Sequence, residues 1–249
     1  MERERTESME IYIKRFFLFI VLFIPLILSP SPAVKATTPN FIITNGSKTQ
    51  KKIALTFDDG PDNNYTLQIL NVLRKHNTKA TFFLLGVKTK EYPSVAKLIV
   101  DEGHVIGNHT YNHPNLYKKD LQTFRNEVEM TQELIFKTTG IRPNLFRAPY
   151  GNINENQLSE LKSMGLTAVG WSVDSLDWKS LPSKAIETNV MPNIDSGSII
   201  LMHCAGHHTQ NLTGTANALD KMIPTLKDKG YEFVTIAELM NKEFVMNKE

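Results

Sequence analysis

From residue 51 onward the chain alternates between two hydrophobic patterns. Short runs that are almost wholly apolar or β-branched, such as Ile53-Ala54-Leu55 and Ile199-Ile200-Leu201-Met202, give way to longer stretches in which apolar residues recur three or four apart. The first pattern is that of strands buried on both faces, the second that of amphipathic helices. It predicts strands over 52–57, 80–85, 166–173, 198–202 and 231–236, with two more beginning at 104–106 and 144–146. Between them it predicts helices over 66–76, with Leu67, Leu70 and Leu73 on one face, over 93–102, over 182–190, and a short last one over 237–240. A long helix carries Leu121, Phe124, Val128 and Ile135 on one face. Another is marked by Leu158 and Leu161, and a third by Leu219, Met222, Ile223 and Leu226. Gly103, Gly140, Gly165 and Gly230 end four of these helices, since glycine enters the left-handed cap without a Cβ clash. Strands alternating with helices imply parallel pairing through crossovers, an α/β fold. About seven such units fit a barrel or an open doubly wound sheet, and periodicity does not separate the two.

Before residue 51 the pattern changes. Lys14 and Arg15 precede an apolar run over 16–28, too short to span a bilayer, and small residues follow up to Ala36. This is the layout of a secretory signal, expected to be cut close to Thr37, with an uncleaved membrane anchor as the alternative. The expected organisation is a signal over 1–36, a linker over 37–50, a single domain over 51–240 and a tail over 241–249, in a secreted, cell-wall-associated monomer. The 249-residue chain has a formal net charge of +2, and removing residues 1–36 leaves it near neutral, so bulk charge gives no reason to expect a nucleic-acid partner. A single cysteine, Cys204, excludes an internal disulfide and is most simply a small buried residue.

The candidate chemistry gathers at one place in this pattern. Asp58, Asp59, His109, Arg147, Asp174, Asp177 and His203 all fall at or just past the carboxyl ends of predicted strands, the edge where α/β folds build sites. Asp58-Asp59-Gly60 reads either as a solvated turn or as a pair of repelling carboxylates compensated by a cation. His109 and His113 are four apart, which on a helical turn puts both imidazoles on one face. With Asp59 they offer two nitrogens and an oxygen, a set that suits catalytic zinc or non-haem iron. Asp58 would then stay ionised as a base. Arg147 reads as the partner of Asp58 or as a structural cap on its strand. The backbone N–H of Tyr150, in the turn that follows, is a candidate oxyanion donor. Trp178 is a candidate wall for a sugar ring, and Trp171 reads as core. Asp177 is placed to orient and charge a histidine. His203 is a candidate general acid, a third metal ligand or a core histidine.

Thr56-Phe57-Asp58-Asp59-Gly60, His109-Thr110-Tyr111-Asn112-His113, Arg147-Ala148-Pro149-Tyr150, Asp174-Ser175-Leu176-Asp177-Trp178 and Leu201-Met202-His203 resemble, in that order, the five motifs of the polysaccharide deacetylases, the NodB-homology carbohydrate esterases of family 4. The likeness covers roughly residues 50–240. It implies a distorted (β/α) barrel of about seven parallel strands and removal of N-acetyl groups from amino sugars with release of acetate. It also implies a divalent cation, zinc or else cobalt or another ion, on Asp59, His109 and His113. By the same likeness Asp58 is the base, oriented by Arg147; Tyr150 offers its amide to the oxyanion and contacts substrate; His203, tuned by Asp177, protonates the leaving nitrogen; and Trp178 and Leu201 line the groove. No motif residue is missing. The chain departs from the family pattern in the long segment 204–215, which carries His207 and His208. Secretion with this chemistry points to peptidoglycan as the polysaccharide partner. Chitin oligomers, a glycan-binding protein without turnover, and a two-histidine, one-carboxylate oxygenase are the competing expectations.

Overall fold

The structure, a computed structural model, describes residues 42–240. The described residues all belong to one compact unit. The signal or anchor, residues 37–41 of the expected linker, and the tail lie outside the described residues. No helix among the described residues is long and apolar enough to cross a membrane.

Among the described residues eight strands make one sheet: β1 (Lys52–Asp58), β2 (Thr81–Leu84), β3 (Val105–Asn108), β4 (Leu145–Phe146), β5 (Thr167–Ala168), β6 (Val173–Asp174), β7 (Ile199–His203) and β8 (Glu232–Phe233). Seven follow one another in the order β5-β4-β3-β2-β1-β7-β6, and β8 pairs with the start of β1. Every pairing between named strands is parallel, so the strands end on one edge. Seven helices supply crossovers, α1 (Tyr65–Lys75), α2 (Gly86–Glu91), α3 (Pro93–Asp101), α4 (Leu121–Thr139), α5 (Glu155–Ser163), α6 (Ser183–Val190) and α7 (Thr213–Asp228), and α8 (Ile236–Leu239) follows the last strand. This is the α/β, curled barrel-like architecture expected. β1 lies in the middle of the row, with Ile53, Ala54, Leu55, Phe57 and Thr56 all essentially inaccessible. A strand sealed on both faces must be apolar along its length, which is why its two terminal carboxylates stand out.

Several expectations change, and of the strand predicted over 231–236 only Glu232–Phe233 forms, with Ile236 opening α8 instead. The predicted strand over 166–173 is two strands at opposite ends of the row. The chain leaves β4 at Val169, whose N–H donates to the Phe146 carbonyl; three residues later Ser172 donates to Ile199 of β7. The pattern reads as one strand because Val169 and Val173 are buried and Gly170 and Trp171 half-buried, with Ser172 the single exposed residue between, and hydrophobicity carries no record of which neighbour is paired. In α4 the buried face is Phe124, Val128, Thr131 and Ile135, while Leu121 is 43% exposed in the first turn, just past the Asp120 cap. The helix α2 is unforeseen: its six residues are too few to show a period. The four expected glycine stops all take positive φ, between 73° and 82°.

Part of the expected linker belongs to the fold. Ile43 is buried in a cluster with Ala54, Phe83, Leu145 and Ile199. Ile43 bridges Val169 and Asn45 bridges Ser198, so residues 42–46 span from the end of β5 to the start of β7.

Candidate active site

The site is built on the ends of β1, β3, β4 and β7. Side chains on a strand alternate faces, so Asp58 and Asp59 should diverge. They do not, because Asp59 takes a left-handed conformation, φ 71°. Gly60 follows with no room for a side chain: a Cβ there would lie 2.4 Å from the Cys204 sulfur. Asp58 is 4% exposed and its Oδ1 accepts from Arg147 Nη1 at 2.8 Å. The guanidinium is itself fully buried and makes four hydrogen bonds. It donates also to Thr56 Oγ1 at 2.8 Å and to the carbonyls of Gly170 and Val169 at 2.8 and 3.3 Å, with Phe83 against its face at 4.2 Å.

His109 and His113 meet Asp59, but not through a helical turn. They sit in a loop after β3 whose Thr110 and His113 take positive φ, 71° and 58°. His109 Nε2 is 3.5 Å and His113 Nε2 3.3 Å from Asp59 Oδ1, and His109 Nε2 is 3.6 Å from Asp58 Oδ2. His109 Nδ1 lies 2.8 Å from the Arg147 carbonyl, an acceptor, so Nδ1 carries a proton and Nε2 is the nitrogen turned towards Asp59. Among the described residues, Asp59, His109 and His113 form a group able to hold a metal ion, with one ligand atom from each within 4.8 Å of the others. Asp59 Oδ1 is buried with no hydrogen-bond partner. An unpaired buried carboxylate oxygen facing two imidazole nitrogens fits a divalent cation in donor type and number.

The electrostatics agree with that fit. Two carboxylates against one guanidinium leave the pocket net negative. Burial works against ionised Asp59, but the adjoining His109, and after it His203 and His113, bring its pKa down to about 2. Burial disfavours charged His109, yet Asp58 and Asp59 lift its pKa above the ordinary value. His113 is lowered, by burial and then by His109.

His203 ends β7, in register with Asp58 on β1. Its Nδ1 is 2.7 Å from Asp177 Oδ1, and its own N–H donates to Asp177 Oδ2 at 2.9 Å. Burial opposes the imidazolium, but the Asp177 hydrogen bond and charge, with Asp59 and Asp58 further off, raise the His203 pKa to about 9. Tyr150 lies in the turn Pro149–Gly151 with φ 60°. It is 63% exposed, and its ring packs edge-on against His113 at 4.7 Å. Trp178 is 43% exposed beside Asp177, where its carbonyl accepts from Gln210 at 2.8 Å. Trp171 is half-buried against the Ile43 cluster. Leu201 is a buried residue of β7. His207 and His208 are exposed. Cys204 is buried, and burial raises its thiol pKa well above the ordinary value.

Sequence reasoning gave no role to three groups that hold this constellation. Thr56 Oγ1 braces Arg147; it lies two residues before Asp58 on the same strand face, so its position was readable. Thr215 Oγ1 donates to Asp177 Oδ2 at 2.8 Å, and Glu127 accepts two amides of the histidine loop. Both come from distant helices, and no local pattern marks them.

Residues 45–169 match the family described as polysaccharide deacetylase. The chain belongs to the polysaccharide deacetylase family, hydrolases that act on N-acetyl groups. It is 46% identical over 196 residues to a peptidoglycan-N-acetylglucosamine deacetylase of Bacillus cereus, a match covering 78% of this chain and 70% of that protein. It is 40% identical over 203 residues to the peptidoglycan-N-acetylglucosamine deacetylase PgdA of Listeria monocytogenes, covering 82% of this chain but only 42% of that protein. Among solved structures it is similar to the Bc1960 peptidoglycan N-acetylglucosamine deacetylase, with 44% identity and a TM-score of 0.79, covering 81% of this chain and 94% of that one.

Proposed function

We propose that this protein is a secreted, cation-dependent hydrolase that removes N-acetyl groups from the amino sugars of peptidoglycan and releases acetate. The observation that carries the reading is the convergence of three groups at one strand edge: the Asp59–His109–His113 cluster, the Arg147-held Asp58, and the Asp177-held His203. The relatives named peptidoglycan deacetylases support the choice of polymer. Zinc is the ion we assign, with cobalt the first alternative; residues 1–36 direct export, and the protein acts as a monomer.

Asp59, His109 and His113 would hold the cation, which when bound supplies Lewis-acid polarisation of a carbonyl oxygen and makes a water more acidic. Asp58 takes the proton from the attacking water. Arg147 fixes Asp58 from the side away from the histidines, leaving Oδ2 facing them. The amide of Tyr150, in a rigid turn, donates to the oxyanion of the tetrahedral intermediate. His203, positively charged through Asp177, gives its proton to the amide nitrogen as the C–N bond breaks. Acetate and the free amine leave, with Trp178 as the wall of the sugar groove.

Muropeptide mass spectrometry with acetate assay tests this. Wall fragments incubated with the enzyme lose one acetyl, about 42 Da by elementary mass, per modified sugar, while a chelator stops release and zinc or cobalt restores it. Cation binding without acetate from wall material or N-acetylglucosamine oligomers would leave only a glycan-binding protein. A pH profile isolates the acid. His203 must be protonated, so activity falls as pH rises through its pKa, at or below about 9 because a bound cation opposes a second positive charge. His203→Ala is expected to abolish this basic limb while residual activity persists; an unchanged limb removes His203 from the role.

A further inference from the structure

We propose that Glu127 is a positioning residue for the cation site, acting through the backbone of the loop that carries His109 and His113. This rests on the cation reading above. The two histidines bracket a tight reversal, and two of its non-glycine residues, Thr110 and His113, hold positive φ. Side chains resist that conformation, so the loop keeps it only where its surroundings impose it. Each amide from 110 to 113 is taken by a side-chain oxygen. Thr110 donates to Asn108 Oδ1 at 2.9 Å and His113 to Thr110 Oγ1 at 3.1 Å. The two central amides, Tyr111 and Asn112, both donate to one atom, Glu127 Oε2, at 2.8 and 2.9 Å.

The opposite side of the loop is held as firmly. Gly86 and Val87, at the start of α2, donate to the carbonyls of Thr110 and Tyr111 at 3.0 and 3.1 Å. A Cβ on Gly86 would sit 2.4 Å from the Tyr111 ring, so glycine is what lets α2 approach. The loop is thus pinned between α2 and α4, and Glu127 is the α4 side of the clamp. The neighbouring α4 carboxylate Glu129 reaches Arg125 instead. Charge-assisted bonds to two successive amides fix the peptide planes between the ligands, and with them the separation of the two Nε2 atoms from Asp59. Without the carboxylate the loop relaxes towards ordinary φ, and His113, the more exposed ligand, swings from Asp59 first.

The test uses the chelator-stripped, refilled full chain with Co²⁺ as the probe, read by calorimetry and by visible absorption. Glu127→Ala is expected to weaken Co²⁺ binding by about 10- to 100-fold, the usual range for losing an outer-shell support, and to change the absorption band. Glu127→Gln keeps an oxygen acceptor for both amides and is expected to stay within about threefold of the parent, with the parental band. Glu129→Ala is expected to match the parent in both. The proposal is overturned if Glu127→Ala binds Co²⁺ with parental affinity and spectrum, or if Glu127→Gln is as damaged as Glu127→Ala, since a diffuse charge effect would then explain both. If Glu127→Ala does not fold, hydrogen exchange in the parent decides: protected Tyr111 and Asn112 amides support the clamp, and amides exchanging as fast as an open loop overturn it. A parent chain that binds no Co²⁺ overturns the cation reading itself, a result distinguishable from either.

Discussion

Asp58→Asn is expected to slow acetate release by about 10²- to 10⁴-fold, the range over which a positioned base contributes, while cation binding is largely kept. The separation of the two readouts follows from the left-handed Asp59: the backbone brings both carboxylates to one cleft but gives them different partners. Asp58 Oδ1 is committed to Arg147, and Asp59 Oδ1 has only the two imidazoles. Asparagine keeps the shape of Asp58 and can still accept from Arg147 through its carbonyl oxygen, but it cannot accept a proton from water near neutral pH. Steady-state acetate assay together with Co²⁺ titration checks this. Turnover that survives in Asp58→Asn removes Asp58 as the base; loss of Co²⁺ binding would make Asp58 part of the cation shell instead.

The second large effect is on folding. Arg147→Met is expected to destabilise the protein by about 3–5 kcal/mol, because removing one member of a buried ion pair strands the other. In a chain of this size that corresponds to a fall in Tm of roughly 6–20 °C. The Asp58 carboxylate is almost inaccessible, and its other near neighbours are Asp59 and the His109 ring, 3.6 Å away. Two main-chain carbonyls, of Val169 and Gly170, lose their donor in the same substitution. Adding Asp58→Asn to Arg147→Met is expected to recover part of the loss, since the stranded charge is then gone; denaturant melts of the two singles and the double form the cycle that measures it. A double variant no more stable than Arg147→Met would mean that the carbonyls and the packing against Phe83, not the charge, carry the cost.

How much of this was legible depended on whether a feature is written locally. β1 was readable because an apolar run broken by two acids and Gly-Pro marks a strand and its end, and α7 because Leu219, Met222, Ile223 and Leu226 keep one period, all four buried. The division of 166–173 between β5 and β6 was not, since a largely covered crossing and a strand have much the same composition. At the site, Asp59, His109 and His113 were named together correctly as neighbours, but for the wrong local reason: a helical turn was expected where positive φ at two positions does the work. Glu127 and Thr215 were invisible because their meaning lies in the loop or carboxylate they reach across space. The Arg147–Asp58 bond was foreseen, whereas its second use, bracing the Val169–Gly170 crossing, needed the topology first.

That crossing also decides how small a piece of the chain can stand alone. Ile43 fills a hydrophobic niche between the sheet and Val169, and Gly46 donates to the Gly197 carbonyl while Gly170 donates to that of Ile43. A recombinant fragment begun at residue 51, where the alternation of strand and helix starts, would therefore leave β5 and β7 with unmet main-chain groups and an uncovered apolar seam. Protein engineers trimming this enzyme should stop upstream of Ile42, and a protease that nicks between there and Lys51 would attack the scaffold rather than a tether.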